Sequence, residues 1–212
     1  MPRLVIEYVL GGDTPGYNYT GATNGLSEEL LKIVWRGAFP RGQGWGAYVG
    51  ARALKCFALG ERQYALSQVM VTPAQDEIGR RGIRRAEIDV LAEKECIDYL
   101  AARLENYPAA VQAQLSTRPS LSQWTQIIDR KLPKLRGTSQ LLLASPYAGA
   151  DAWQLMEALV IKLALHRFGP IKRQTALSSF TTLALEYRDE GQIVALPTQH
   201  IRGVNAPIIH VA

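Results

Sequence analysis

The chain has 212 residues, of which 47% are hydrophobic, 20% charged and 8% aromatic. This composition excludes a disordered or collagen-like chain, and the length suffices for one large domain or two small ones. No apolar run reaches the ~18 residues of a membrane span, since Glu157 and Lys162 interrupt the longest candidate, residues 155–165. Cys56 and Cys96 are too few for a disulfide framework or a zinc site, so we expect a reducing, cytoplasmic compartment.

Positive charge is concentrated in the second half of the chain. Residues 117–212 hold 11 Lys and Arg against 6 Asp and Glu, whereas residues 1–116 hold 13 of each group. The net charge is +5 and the isoelectric point is about 9.3. Such an excess favours an anionic partner, for example nucleic acid or an anionic lipid.

Apolar segments and turn residues predict the strands of the first two thirds. Residues 17–22 offer a short strand inside a Gly-rich turn. The other strands are predicted at 4–10, 53–59, 64–72 and 86–91, with GERQ as a hairpin turn between 53–59 and 64–72.

Three helices are predicted in the same region, at 27–36, 93–106 and 120–132. Ser27 opens the first, and apolar residues at i, i+3, i+4 and i+7 give the second one buried side. Pro108 either ends that second helix or starts a further short one.

The last third of the chain has a different order of predicted elements. A short buried strand is predicted at 140–144, followed by a helix that begins at Asp151 and buries Leu159. Residues 176–187 and 192–196 are predicted to pair as a hairpin around RDEG, and the tail can add an edge strand.

The order of these elements predicts an α/β chain of the α+β class. Residues 1–132 follow the element order of the longin fold, an antiparallel sheet flanked by helices. Residues 139–212 form a smaller strand–helix–hairpin unit, which docks on the first unit or continues its sheet. The polar segment 131–139 is the predicted boundary.

No catalytic motif is present. The sequence contains no GxxxxGK[ST], HExxH, CxxC or GxSxG, and GGDTPG is interpreted as a wide turn. The histidines His166, His200 and His210 lie in no motif, and the acidic clusters are interpreted as solvated turns. We therefore expect no enzyme activity, no metal site and no cofactor.

The sharpest charge feature is GRRGIRR, which gathers Arg80, Arg81, Arg84 and Arg85 in one predicted exposed loop. Arginine binds carboxylates and phosphates bidentately, so the loop is a candidate partner-binding site for an acidic protein surface or a phosphate backbone. The alternative is a solvated loop that nearby carboxylates neutralise. No aromatic residues are interleaved with these arginines, which argues against single-stranded nucleic acid.

Two stretches resemble the N-terminal domains of bacterial GTPase-associated proteins. In YALSQVMVTPAQDEIGRRGIRRAEIDVL, the matching residues are Glu77, Arg80 and Gly82, but an aromatic residue and a histidine common in the family are replaced. GPIKRQTALSSFTT is similar to a second family motif, with one residue inserted. Its matching residues are Pro170, Arg173, Ser179, Phe180 and Thr181.

The resemblance implies an adaptor or protein-interaction module that works with a small GTPase or a bacterial conflict system. Longin and the related DENN domains are recurrent partners of small GTPases, which agrees at the level of fold analogy. The alternatives are a nucleic-acid-binding module and a small enzyme without a recognised motif. Salt dependence separates the first two, because binding to a phosphate backbone weakens steeply with salt. The sequence does not specify an oligomeric state.

Overall fold

A mixed β-sheet with helices on both faces organises the chain in the computed structural model. The structure describes residues 3–9, 16–22, 27–39, 52–60, 62–73, 84–117, 126, 140–145, 150–165, 177, 179–182, 193–198, 201 and 208–210. Its strands are β1 (Arg3–Val9), β2 (Gly16–Ala22), β3 (Arg52–Gly60), β4 (Gln63–Val71), β5 (Arg84–Ala92), β6 (Leu141–Ser145), β7 (Phe180–Thr181), β8 (Ile193–Pro197) and β9 (Ile208–His210). Its helices are α1 (Glu28–Gly37), α2 (Glu93–Glu105), α3 (Ala109–Thr117) and α4 (Ala150–Leu165).

The first five strands form the antiparallel part of the sheet, in the order β2-β1-β5-β4-β3. This confirms the predicted α+β class and the predicted antiparallel pairing. Helices α1 and α2 match the helices predicted at 27–36 and 93–106, and α3 is the further helix after Pro108. The predicted helix at 120–132 lies outside the described residues, except for the helical Gln126.

The remaining strands continue the same sheet in the order β7-β8-β6-β9. β8 pairs in parallel with both β6 and β7, so the predicted hairpin around RDEG is wrong. A hairpin reverses the chain, whereas the register from Phe180↔Ile193 to Thr181↔Val194 runs in one direction. β9 lies at the sheet edge, which confirms the predicted edge strand in the tail. The predicted boundary at 131–139 lies outside the described residues.

Helices α2, α3 and α4 cover one face of the sheet. Adjacent strand residues point to opposite faces, so Leu54 and Leu66 contact these helices while Ala53 and Ala65 face the other way. Leu159 of α4 is buried in the first of these clusters, as its position in the apolar stripe predicts. No helix among the described segments is long and apolar enough to span a membrane.

Helix α1 covers the opposite face, and its C-terminal end is held there by polar contacts. Ser67 Oγ donates to the Ala38 carbonyl at 2.7 Å, and Lys55 Nζ donates to the Phe39 carbonyl at 3.3 Å. A Cβ atom added at Gly37 would lie 2.5 Å from the Phe57 ring. The close approach of α1 to β3 therefore leaves no room for a Cβ at this position unless the Phe57 ring shifts.

Candidate functional site

Three side chains form a row across the sheet face that α2, α3 and α4 cover, beyond the edge of its apolar core. Met70 on β4 lies opposite Arg52 on β3 and opposite Arg85 on β5. Directly opposite residues share a face, so these side chains stand side by side. Gln68 and Glu87, two positions along their strands, form the next cross-strand pair on the same face.

These residues line an open pocket of about 270 Å³, completed by two helical side chains. Arg103 comes from the last turn of α2, and Glu157 comes from the middle of α4. We call this site the arginine pocket. Its lining side chains are Arg52, Gln68, Met70, Arg85, Glu87, Arg103 and Glu157, with Ala53 and Val69 contributing at the floor. Three arginines and two glutamates leave the pocket with one net positive charge.

Arg103 is the most firmly held group of the arginine pocket. Its Nε donates to Glu157 Oε1 at 2.6 Å, and its Nη1 donates to Gln68 Oε1 at 3.1 Å. Gln68 Nε2 in turn donates to the Tyr99 hydroxyl at 3.1 Å. These contacts connect α2, α4 and β4, so the guanidinium is fixed before any ligand arrives.

Glu157 holds this network from the helix side. It accepts a second hydrogen bond, from the Tyr107 hydroxyl, and its side chain is only 10% exposed. Burial and then the Glu157 carboxylate raise the pKa of Tyr107 above its usual range. Burial lowers the pKa of Arg103, but Glu157 outweighs it and raises that pKa overall. Tyr107 therefore remains protonated and Arg103 charged at neutral pH.

The two sheet arginines are more exposed than Arg103. Arg85 Nη2 lies 3.3 Å from Glu87 Oε1, and both side chains are roughly two-fifths exposed. An exposed pair of this kind adds little stability, because water screens it. Arg52 is exposed at the start of β3, and among the described residues none forms an ion pair with it. The pocket therefore combines the firmly held guanidinium of Arg103 with the exposed Arg52 and the partly exposed Arg85 around the exposed Met70.

The predicted exposed loop of four arginines needs a correction, because Arg84 and Arg85 are the first two residues of β5 and precede the predicted strand start at residue 86. Arg84 is only 4% exposed. Strands β1 and β4 both extend to it, through Tyr8 and Val71, so the chain is paired on both sides there. Alternation directs Arg84 to the face that α1 covers and Arg85 to the arginine pocket.

The other predicted site residues divide into two groups. Phe180 and Thr181 are fully buried in β7, and the Ser179 carbonyl accepts a hydrogen bond from Ile193 at 3.1 Å. These three residues therefore build the junction of the two parts of the sheet. The remaining predicted residues lie outside the described residues: Glu77, Arg80, Arg81, Gly82, Pro170 and Arg173.

Both cysteines are completely buried, which confirms their interpretation as small core residues. Cys56 Sγ on β3 lies 3.8 Å from Cys96 Sγ on α2. Burial raises the pKa of the Cys56 thiol well above its usual range. A buried neutral thiol is a poor nucleophile, so this pair belongs to the core.

Sequence reasoning missed Arg52, Arg103 and Glu157. Glu157 stood out only as an interruption of an apolar run, and neither arginine was singled out. No group of three His, Cys, Asp or Glu side chains in the described ranges is arranged to hold a metal ion. No protein-family model matches the chain, and the search of curated proteins found no significant match.

Proposed function

We propose that this chain is a non-enzymatic adaptor, a protein-interaction module that binds a small GTPase or a component of a bacterial conflict system. The observation that carries the proposal is the arginine pocket, in which Arg52, Arg85 and Arg103 surround an opening beside Met70. Arginine and methionine are enriched in protein interfaces. An acidic protein surface with some apolar character complements this combination.

The element order supports the longin-like interpretation of residues 1–132. Two strands, a helix, three strands and two helices follow one another, and helices flank both faces of the sheet. Longin and DENN domains are recurrent partners of small GTPases, so this likeness favours a GTPase as the partner by fold-level analogy. A cytoplasmic location belongs to the same proposal, since Cys56 and Cys96 are free thiols.

Nucleic-acid binding is the second candidate function, because the chain carries a net charge of +5 and an isoelectric point of about 9.3. The arginine pocket argues against it, since Glu87 and Glu157 line the same opening. Carboxylates beside a phosphate backbone repel it. A protein surface tolerates such mixed charge, because it can present both signs.

Affinity capture from the native host, followed by measurement with the purified partner, tests the proposal. Wild-type chain, Arg52→Glu and the control Lys94→Glu are used as baits over a salt series. We expect a small GTPase or conflict-system protein to be retained. Its Kd should rise about tenfold or more for Arg52→Glu, since a charge-assisted contact is worth about 1.5–3 kcal/mol. Lys94 is exposed on α2 and does not line the pocket, so Lys94→Glu should bind like wild type.

Retention of nucleic acid alone, with a steep loss at high salt, would replace this function by the second candidate. An equal Kd for Arg52→Glu and Lys94→Glu would remove the arginine pocket from partner binding.

A further inference from the structure

The three arginines of the pocket are not electrically equivalent. Arg85 lies 3.3 Å from a Glu87 oxygen, and Arg103 lies 2.6 Å from a Glu157 oxygen. In the part of the chain that the structure describes, Arg52 makes no such pair. Among the lining residues, Arg52 is therefore the arginine without a lining carboxylate beside it.

Arg103 supplies hydrogen-bond donors in a fixed orientation. Its Nε is used by Glu157, and its Nη1 is shared between Gln68 at 3.1 Å and Tyr99 at 3.4 Å. The Tyr107 hydroxyl is a further hydrogen-bond partner of the guanidinium, and the side chain is 28% exposed. An incoming acceptor therefore meets a donor whose rotamer is already fixed, which reduces the entropy cost of binding.

Met70 provides an apolar surface between the two sheet arginines. It is 37% exposed and is one of two large hydrophobic residues that stand out as exposed among the described residues. Its cross-strand neighbours are Arg52 and Arg85, whose Cα atoms lie roughly 10 Å apart, two strand spacings across the sheet. The flexible thioether of methionine adapts to a short aliphatic chain.

We infer that the arginine pocket binds one carboxylate, that of a glutamate side chain on the partner protein. Arg52 neutralises the carboxylate, Arg103 donates to it, and Met70 contacts the methylene groups of the same side chain. This inference rests on the adaptor function proposed above and specifies what its surface recognises.

Charge balance favours a carboxylate over a phosphate as the ligand. One carboxylate cancels the single net charge of the pocket. A phosphate monoester carries about −1.5 to −2 at neutral pH, which would leave an excess beside Glu87 and Glu157.

Methionine labelling gives a direct test, because the chain contains only Met1, Met70 and Met156. We would label the methyl groups with carbon-13 and titrate the chain with a capped Gly-Glu-Gly peptide, followed by NMR. The controls are the capped Gly-Gln-Gly peptide and inorganic phosphate. We expect a saturable shift of the Met70 methyl with the glutamyl peptide only, while the buried Met156 stays unchanged.

Arg52→Gln should weaken peptide binding about tenfold or more, whereas Lys94→Gln should not change it. A urea midpoint equal to that of wild type checks that Arg52→Gln is folded. Arg85→Gln removes the same charge from β5, on the other side of Met70, and serves as the second variant. Equal binding of the Gln peptide, unchanged binding by both arginine variants, or tighter binding of phosphate than of the glutamyl peptide would overturn the inference.

The two proposals fail in different ways. If Arg52→Glu loses the captured partner while the glutamyl peptide leaves Met70 unshifted, the adaptor function stands and the carboxylate site is wrong. If the peptide binds but the host lysate yields nucleic acid alone, the carboxylate site stands and the adaptor function is wrong.

Discussion

Arg103 Nε and Glu157 Oε1 lie 2.6 Å apart, joining the last turn of α2 to the middle of α4. The two side chains are only 28% and 10% exposed to solvent, and Tyr107 donates to the same oxygen. Two helices from distant parts of the chain are thereby tied together above the sheet. The same contact orients the guanidinium that lines the arginine pocket, so stability and binding depend on one pair.

Removing one member of this pair should destabilise the protein. Glu157→Gln leaves a partly buried guanidinium without its counter-charge, and we expect a loss of about 1.5–3 kcal/mol in the free energy of unfolding. Arg103→Met should cost a similar amount, because among the described residues Glu157 Oε1 then keeps only the Tyr107 hydroxyl as a hydrogen-bond donor. Urea unfolding of both variants measures these losses.

The double variant separates the pair from its surroundings. Since the two side chains contact each other, Arg103→Met with Glu157→Gln should lose less stability than the two single losses added together. Strictly additive losses would show that the contact contributes nothing and that packing alone explains each variant.

Truncating Leu159 should open a cavity in the core. Leu159 is buried in the cluster that α4 shares with the sheet, so Leu159→Ala should cost about 2–5 kcal/mol. The half-buried Leu165 in the last turn of α4 is the control, and Leu165→Ala should cost less. A urea midpoint for Leu159→Ala equal to that of wild type would contradict the packing of α4.

Adding a methyl group at Gly37 should also destabilise, although alanine is the better helix former. The added Cβ would lie 2.5 Å and 2.6 Å from two Phe57 ring atoms, and overpacking of this kind costs about 1–3 kcal/mol. Gly60→Ala meets nothing within 4 Å and is the matched control. Replacing the ring by the smaller leucine side chain, with Phe57→Leu added to Gly37→Ala, should restore part of the stability that Gly37→Ala loses. Thermal unfolding of the three variants tests this order.

The Tyr64 hydroxyl should make stability fall at alkaline pH. Burial, and then the nearby Glu93 carboxylate, raise the pKa of Tyr64 from 10.0 to about 12. Its contribution is therefore fully present below pH 10 and is lost as the pH rises toward about 12, because the unfolded chain ionises first. Tyr64 also donates to the Leu177 carbonyl at 3.2 Å.

Urea midpoints measured from pH 8 upward for wild type and Tyr64→Phe check this dependence. Phenylalanine cannot ionise, so the variant should lose less stability over the alkaline range, although it starts lower because the Leu177 carbonyl loses its donor. If the urea midpoints of the two proteins fell in parallel as the pH rises, the pH dependence would come from other tyrosines.

Local pattern was sufficient for most single elements. The spacing around Leu100 predicted α2, and the apolar stripe around Leu159 predicted α4, because each buries one side of a helix. Strand alternation also indicates the sheet face on which Arg84 lies. It alternates in step with Ala86, Ile88 and Val90, which lie on the face under α1. Grouping the four arginines by charge alone left this alternation out of the prediction.

The direction of β8 and the arginine pocket could not be predicted in the same way. Pairing of β8 depends on β6 and β7, and RDEG is a turn sequence that is compatible with either connection. The pocket requires the register of three strands together with Arg103 and Glu157, which are 54 residues apart. Such contacts are set by tertiary packing, so no short stretch of sequence predicts them.

The junction of β3 with β7 has a consequence for synthesis of the chain. The Leu54 amide donates to Thr182 Oγ1 at 2.7 Å, and the Thr182 amide donates to the Leu54 carbonyl at 2.9 Å. These residues are 128 positions apart. At roughly 5–20 residues per second, the ribosome therefore needs about 6–26 s after Leu54 to synthesise the segment that pairs with this edge of β3. During that interval the nascent β3 presents an open strand edge, where a second nascent chain can pair and aggregate. Slower elongation after residue 60 should therefore lower the soluble yield.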